Sequence, residues 1–290
     1  MKKQIILSAA LFLSVSGFAG IKMEGSTTVL PLAQKTAEVY MDANPEADIS
    51  IRGGGSGVGI NSLLAGTTDI ANSSRAMKEA ELKKAAGKNI TPKATVVCMD
   101  AIALIVHPSN SAGALSKAQI KDIFTGKIKN WKQVGGPDLK IVLVSRDSAS
   151  GTFEAFTELA LQGAKTARSA LMQASNQGVG GVVSKTPGAI GYVGLGYLTD
   201  KTKTITIGGV APSVETVLNK TYAYSRPLFM YTNGMPTGGI KAYIDFVIGK
   251  QGQEIASELG FVPLITAKPA QEEPVKILAE KSSKETSNKI

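Results

Sequence analysis

Three times in this sequence a short strand pattern runs into a loop of Gly, Ser and Thr and then into a helix start. Ile21-Lys22-Met23 leads to Gly25-Ser26-Thr27-Thr28. Asp48 to Ile51 leads to Gly53-Gly54-Gly55-Ser56-Gly57. Ile141 to Val144 leads to Arg146-Asp147-Ser148-Ala149-Ser150-Gly151-Thr152. Strands that alternate with helices define an α/β architecture. In a parallel sheet, such loops gather at the carboxyl ends of the strands, where ligands bind. A helix start leaves backbone N–H groups unpaired and carries partial positive charge. Glycine lets that backbone approach a ligand, and hydroxyls add donors without adding charge. The combination suits an oxyanion. Any one loop is explained by ordinary N-capping. Three in one chain, one of them beside Arg146, point to an anion, because a guanidinium can grip two oxygens at once.

The remaining pattern extends the alternation. Helices are expected over about 29–41, 58–64, 77–86, 239–247 and 251–259, with one capped by Ser116 that reaches Phe124 and one from Thr152 to about Leu161. Strands are expected at Asp69 to Ala71, Ile190 to Val193, Leu228 to Tyr231 and, longest of all, Thr95 to Val106. From Lys268 onward the chain holds Lys, Glu, Ser, Thr and Asn with few large apolar residues, so residues 266–290 are expected to form a mobile charged tail.

Several chemistries are excluded. The formal net charge of +9 attracts anions in general. At 6% aromatic residues, stacking platforms for single-stranded nucleic acid are thin, so no nucleic-acid partner is expected. Gly126-Lys127 lacks the following hydroxyl residue and upstream Gly of a P-loop. One His and one Cys argue against a Cys/His metal site. Cys98 lies in an apolar run and reads as a buried thiol, and Trp131 as a packing residue. Ser56 fails the Gly-x-Ser-x-Gly pattern because Val58 stands at the last position. His107, which reads as a turn residue, is the one imidazole, and a hydrolase needs a base beside its nucleophile. No catalytic residue, metal or cofactor is expected.

The first residues speak to compartment. Lys2 and Lys3 precede an apolar run from Ile5 to Val15, and Gly17-Phe18-Ala19 offers small residues at a cleavage site. Residues 1–19 therefore read as a secretory signal cut after Ala19, which places the mature chain in the periplasm. An uncleaved anchor is the alternative, but the run is short for a membrane span.

The order Gly25-Ser26-Thr27-Thr28, Gly54-Gly55-Ser56-Gly57, Asp69-Ile70-Ala71-Asn72-Ser73-Ser74-Arg75 and Ser150-Gly151-Thr152 resembles the phosphate-binding proteins of ABC importers. The stretch Ile120 to Ile128 with Trp131 resembles a second block of that family. The resemblance implies a two-lobed clamshell of the periplasmic-binding-protein type II kind, with two strands crossing at the hinge. Lobe I is expected over 20–100 plus 226–265, and lobe II over 101–225. The implied ligand is inorganic phosphate, delivered by a monomer to the membrane permease subunits of an ABC importer. Ser26, Thr27 and Thr28 resemble the first contact loop and Ser56 the second. Arg146, Ser150, Gly151 and Thr152 resemble the contacts of the second lobe.

One position departs from the pattern. A branch of the family carries Asp where Ser74 stands, and there the carboxylate accepts the proton of hydrogen phosphate. Asp100 is a candidate for that role because it interrupts an apolar run. It reads equally as a strand-end or turn Asp, or as one tied to backbone N–H groups. Another tetrahedral oxyanion (sulfate or a metal oxyanion), an exported phosphatase, and a basic protein that binds nucleic acid or anionic lipid are the competing readings.

Overall fold

The longest apolar run of the sequence becomes the strand on which both halves of the molecule are built. A computed structural model of the chain describes residues 20–264. The expected signal segment 1–19 and tail 266–290 lie outside the described residues. The strands are β1 (Ile21–Gly25), β2 (Ile49–Gly53), β3 (Ile70–Ser73), β4 (Pro92–Val106), β5 (Ala114–Leu115), β6 (Val142–Arg146), β7 (Leu171–Gln173), β8 (Ala189–Gly194), β9 (Lys203–Ile207) and β10 (Ser225–Asn233). The helices are α1 (Leu30–Ala43), α2 (Ser56–Ala65), α3 (Glu79–Ala86), α4 (Lys117–Phe124), α5 (Gly151–Leu159), α6 (Asn176–Val183), α7 (Val214–Leu218), α8 (Gly238–Ile248) and α9 (Lys250–Glu258).

The strand order β2-β1-β3-β10-β4-β8-β6-β7 places β4 and β10 at the centre. Parallel β1, β2 and β3 form one half, and parallel β6, β7 and β8 the other. β4 pairs antiparallel with β10 from Pro92 to Ala101, then with β8 from Ile102 to Val106. Its burial pattern changes at the same point. Every residue from Ala101 to Val106 is buried, as expected of a strand covered on both faces, whereas Pro92 to Val96 are half-buried.

Two apolar cores flank this crossing. One joins Met23, Leu32, Val97, Leu228, Met230 and Tyr243. The other joins Ile102, Phe124, Trp131, Phe156, Tyr192 and Tyr224. In the second core Phe156 stacks on Tyr192 with ring centroids 4.0 Å apart and meets Phe124 edge-on. Trp131 is fully buried and donates through Nε1 to the Gly188 carbonyl at 2.9 Å, so it packs as the sequence suggested. Each such buried large side chain stabilises the fold by about 1.5–3 kcal/mol.

The molecule is thus the two-lobed α/β clamshell, with one addition. After α9 the backbone of Val262 exchanges two hydrogen bonds with Met99, at 2.8 and 3.0 Å. Phe261 packs in the first core and Val262 in the second. A third segment therefore crosses beside the two strands. The sequence showed no strand signal there because a single bridged residue pair has no periodicity to read.

The stretch from 162 to 188 also carried more structure than its pattern announced. α6 contains Gly178, Gly180 and Gly181, each about 1 kcal/mol less favourable than Ala in a helix interior. It forms because Ser175 caps it, accepting from Gly178 N at 3.0 Å, and because Asn176, Val179 and Val183 are buried.

Candidate functional site

The loops of the first lobe use backbone and hydroxyls. β1 ends in the turn to α1, where Ser26 Oγ accepts from the Thr28 and Val29 amides at 3.1 and 3.4 Å. That leaves Thr27 and Thr28 at the helix entrance, both buried. At the end of β2, Gly55 adopts φ +98°, and a Cβ there would lie 2.5 Å from the Ala149 carbonyl of the opposite lobe. Only glycine fits both the dihedral and the contact. Ser56 opens α2, and its Oγ accepts from Ser74 N at 3.0 Å and lies 3.3 Å from Ser74 Oγ.

The second lobe answers with charge. β6 ends at Arg146, which is 1% exposed. Its Nε donates to the Gln173 carbonyl at 3.0 Å, and Nη2 donates to the Ala174 carbonyl at 2.9 Å and to Thr27 Oγ1 at 3.2 Å. Nη1 is buried and has no partner among the described residues. Burial pulls this guanidinium below its ordinary pKa, and Asp147 opposes the shift. Asp147 itself accepts from Ala149 N, and Ser150 caps α5 by accepting from Phe153 N. Gly151 then begins α5 so close to the first lobe that a Cβ would lie 2.3 Å from Ser56 Oγ. Thr152 Oγ1 is 2.8 Å from Thr28 Oγ1.

Three further residues belong to this cluster and were not singled out from sequence. Asn176, the first residue of α6, donates through Nδ2 to Thr27 Oγ1 at 3.2 Å and Thr28 Oγ1 at 3.0 Å. Tyr197 donates to the Thr27 carbonyl at 2.5 Å. Arg226, on β10, donates to Thr152 Oγ1 at 2.9 Å and to the Ser74 carbonyl at 3.1 Å. A signal existed for Asn176: Ser175-Asn176 follows β7 and begins a helix, the same design as the other loops.

Asp100 is held by partners within the protein. It is fully buried and stands opposite Arg226 in the β4–β10 ladder. Oδ2 takes Arg226 Nη2 at 3.0 Å and Nε at 3.3 Å, while Oδ1 accepts from Leu195 N at 2.9 Å. Burial pushes its carboxyl above the ordinary range, and the Arg226 guanidinium draws it back. Its second reading from sequence, a carboxylate tied to a backbone N–H, describes the site.

Seven of the expected contacts, Thr27, Thr28, Ser56, Ser74, Arg146, Gly151 and Thr152, converge on one buried locus between the lobes. Ser26 and Ser150 border it with their hydroxyl oxygens turned to helix capping. The starts of α1, α2, α5 and α6 meet there, which adds partial positive charge to two guanidinium groups. The buried carboxylate of Asp100 is paired with Arg226 at 3.0 Å. Such a site can hold a small oxyanion. Cys98 is buried in the first core with its thiol pKa pushed well up by desolvation and by Asp100, His107 sits in a turn against Ser109, and Arg52 is exposed. Among the described residues no helix is long and apolar enough to cross a membrane.

Comparison with known proteins agrees with this geometry. The PBP superfamily domain profile matches residues 14–251. The phosphate-binding protein PstS of Bacillus subtilis is 37% identical over 253 residues, covering 86% of this chain and 82% of the relative. The protein of the same name from Borreliella burgdorferi is 32% identical, covering 85% of this chain and 90% of the relative. Among solved structures, a phosphate ABC transporter substrate-binding protein from Clostridium perfringens, determined with bound phosphate, aligns with a TM-score of 0.80 at 33% identity. It covers 85% of this chain and all of that one. An ABC-type phosphate transport receptor from Vibrio cholerae aligns with a TM-score of 0.70 at 30% identity, over 84% of this chain and all of the other. By sequence and by fold alike, this chain belongs to the phosphate-binding protein family of the PBP superfamily.

Proposed function

We propose that this protein captures inorganic phosphate outside the cytoplasmic membrane and delivers it to the permease subunits of an ABC importer. The observation that carries the proposal is Arg146. A fully buried guanidinium with one nitrogen lacking a partner, among helix starts and hydroxyls from both lobes, is costly unless an anion completes it. Family membership makes phosphate that anion. Contacts are assigned to Thr27, Thr28, Ser56, Ser74, Arg146, Gly151 and Thr152, with Ser26 and Ser150 shaping the loops. Lobe I is assigned to 20–100 plus 226–265 and lobe II to 101–225, a division that the two cores support except at Val262, which packs with the second. Within the cluster, Ser74 Oγ is the hydroxyl that receives no N–H donor, which leaves it able to accept the proton that hydrogen phosphate keeps near neutral pH.

The protein is a binder without turnover, exported by cleavage after Ala19 and acting as a monomer. Calorimetric titration with phosphate, arsenate and sulfate tests the central reading. Phosphate and arsenate, which share shape and protonation, should bind, and sulfate should bind far more weakly. Equal binding of sulfate would favour a general oxyanion carrier, and heat from none of the three would reject the proposal. Steady release of chromophore from a phosphate ester would show a phosphatase instead.

A further inference from the structure

We propose that Asn176, together with Arg146, sets the polarity of the Thr27 hydroxyl, so that Thr27 can only donate to what lies between the lobes. The inference rests on the oxyanion reading of the site and deepens it, because Asn176 was not expected to take part.

A hydroxyl has one hydrogen and two acceptor lone pairs, whereas a guanidinium and an amide nitrogen only donate. The Asn176 amide is oriented by its other end, since Oδ1 accepts from Gly194 N at 3.2 Å. Its two Nδ2 hydrogens therefore go to Thr27 Oγ1 and Thr28 Oγ1. Thr27 Oγ1 also receives Arg146 Nη2, which fills both of its lone pairs. Its own hydrogen is all it can still offer. Arg226 Nη2 gives its two hydrogens to Asp100 Oδ2 and Thr152 Oγ1, at 3.0 and 2.9 Å. Thr28 Oγ1 receives Asn176 and shares a 2.8 Å contact with Thr152 Oγ1 in which either hydroxyl can donate, so the polarity is fixed at Thr27.

Asp100 enters as a positioning residue one step behind. It holds Arg226 through Nε and Nη2 and thereby aims the guanidinium along the hinge at Thr152. The network reaches across the lobes: Asn176 and Thr152 lie on one side, Thr27 and Thr28 on the other. Hydroxyls whose hydrogens are committed in advance need not reorient when an anion arrives, and donor preorganisation of this kind raises affinity.

A double-mutant cycle in phosphate titration tests the inference, with Asn176→Ala, Thr27→Val and the two combined. Each single change should weaken phosphate binding about 10- to 100-fold, as expected for losing one buried hydrogen-bond partner. The double variant should bind no worse than the weaker single one, since Asn176 acts through the hydroxyl that Thr27→Val removes. Thr27→Ser, which keeps the hydroxyl, should stay within a few-fold of wild type and retain the full sensitivity to Asn176→Ala. Multiplying effects in the double variant, or wild-type affinity in Asn176→Ala, would overturn the inference while phosphate binding by the unaltered protein keeps the functional reading intact. Absence of phosphate binding by the unaltered protein would instead overturn the reading on which the inference rests. Thermal melts accompany each titration. If Asn176→Ala does not fold, Asn176→Ser takes its place in the same cycle with the same two outcomes.

Discussion

The two walls of the cleft are made of different chemistry. The first lobe contributes Gly25 to Thr28, Gly53 to Gly57 and Ser73-Ser74, which are neutral and bring backbone N–H groups and hydroxyls. The second lobe and the hinge contribute Arg146, Asn176 and Arg226, which bring fixed charge and amide donors. Neither wall is sufficient alone. Hydroxyls without charge would hold a phosphate weakly, and two guanidinium groups without shaped loops would hold any anion. The division teaches that fixed charge comes from the second lobe and the hinge, while neutral donors line both walls.

The largest expected effect removes charge from the second wall. Arg146→Ala should lower phosphate affinity about 10²- to 10⁴-fold, since each charge-assisted hydrogen bond is worth about 1.5–3 kcal/mol and a bidentate grip doubles that. Titration beside Thr28→Val, a neutral change on the first wall, sharpens the comparison. Equal losses in the two variants would break it.

The hinge pair supports that wall from behind. Asp100→Asn should leave Arg226 buried without its counter-charge and destabilise the fold by about 3–5 kcal/mol, read from denaturant unfolding. From sequence alone the same substitution would be expected to narrow the gap between phosphate and sulfate. A stable Asn variant with altered selectivity would restore that expectation and count against the pairing.

Gly151→Ala tests how closely the walls must meet. Its Cβ would lie 2.3 Å from Ser56 Oγ, so closure would need a backbone shift. Overpacking of this kind costs about 1–3 kcal/mol, or about 5- to 150-fold in phosphate affinity, with the melting temperature little changed because the strain appears between lobes. Wild-type affinity would show that the lobes need not come this near.

The smallest effect belongs to the rim. Glu154 on α5 meets Lys78 Nζ at 2.7 Å and Arg75 Nε at 2.5 Å across the mouth of the cleft, and Arg75 also pairs with Glu81. Glu154→Gln should weaken phosphate binding only a few-fold, since Arg75 keeps its pair with Glu81 and the exposed Lys78 pair contributes about 0.2–1 kcal/mol. The difference from wild type should shrink as salt is raised. A loss comparable to that of Arg146→Ala would shift the decisive charge from the floor of the cleft to its rim.

The same division explains what could be read in advance. The first wall was legible because its chemistry is local: glycine, serine and threonine follow each strand and precede each helix, and the capping logic needs no partner from elsewhere. The end of β6 was legible for the same reason, with Arg146 next to Ser-Gly-Thr. Asn176 was harder to read because the glycines of α6 mask the helix start that Ser175 caps. Arg226 was hidden because a lone Arg before Pro227 resembles a strand-end surface residue. Asp100 did announce itself as a charge in an apolar strand, but its partner lies 126 residues away and is revealed only by the register of β4 against β10. Pairing across a sheet is a property of topology, and composition does not encode it.

The central claim, that neutral donors and charged donors come together by closure of two lobes on phosphate, is tested most directly by small-angle X-ray scattering of the phosphate-stripped protein before and after phosphate is added. The account predicts a smaller radius of gyration at saturating phosphate, with the change absent in Arg146→Ala at the same concentration. An identical profile with and without phosphate, in a protein that calorimetry shows to be bound, would contradict it.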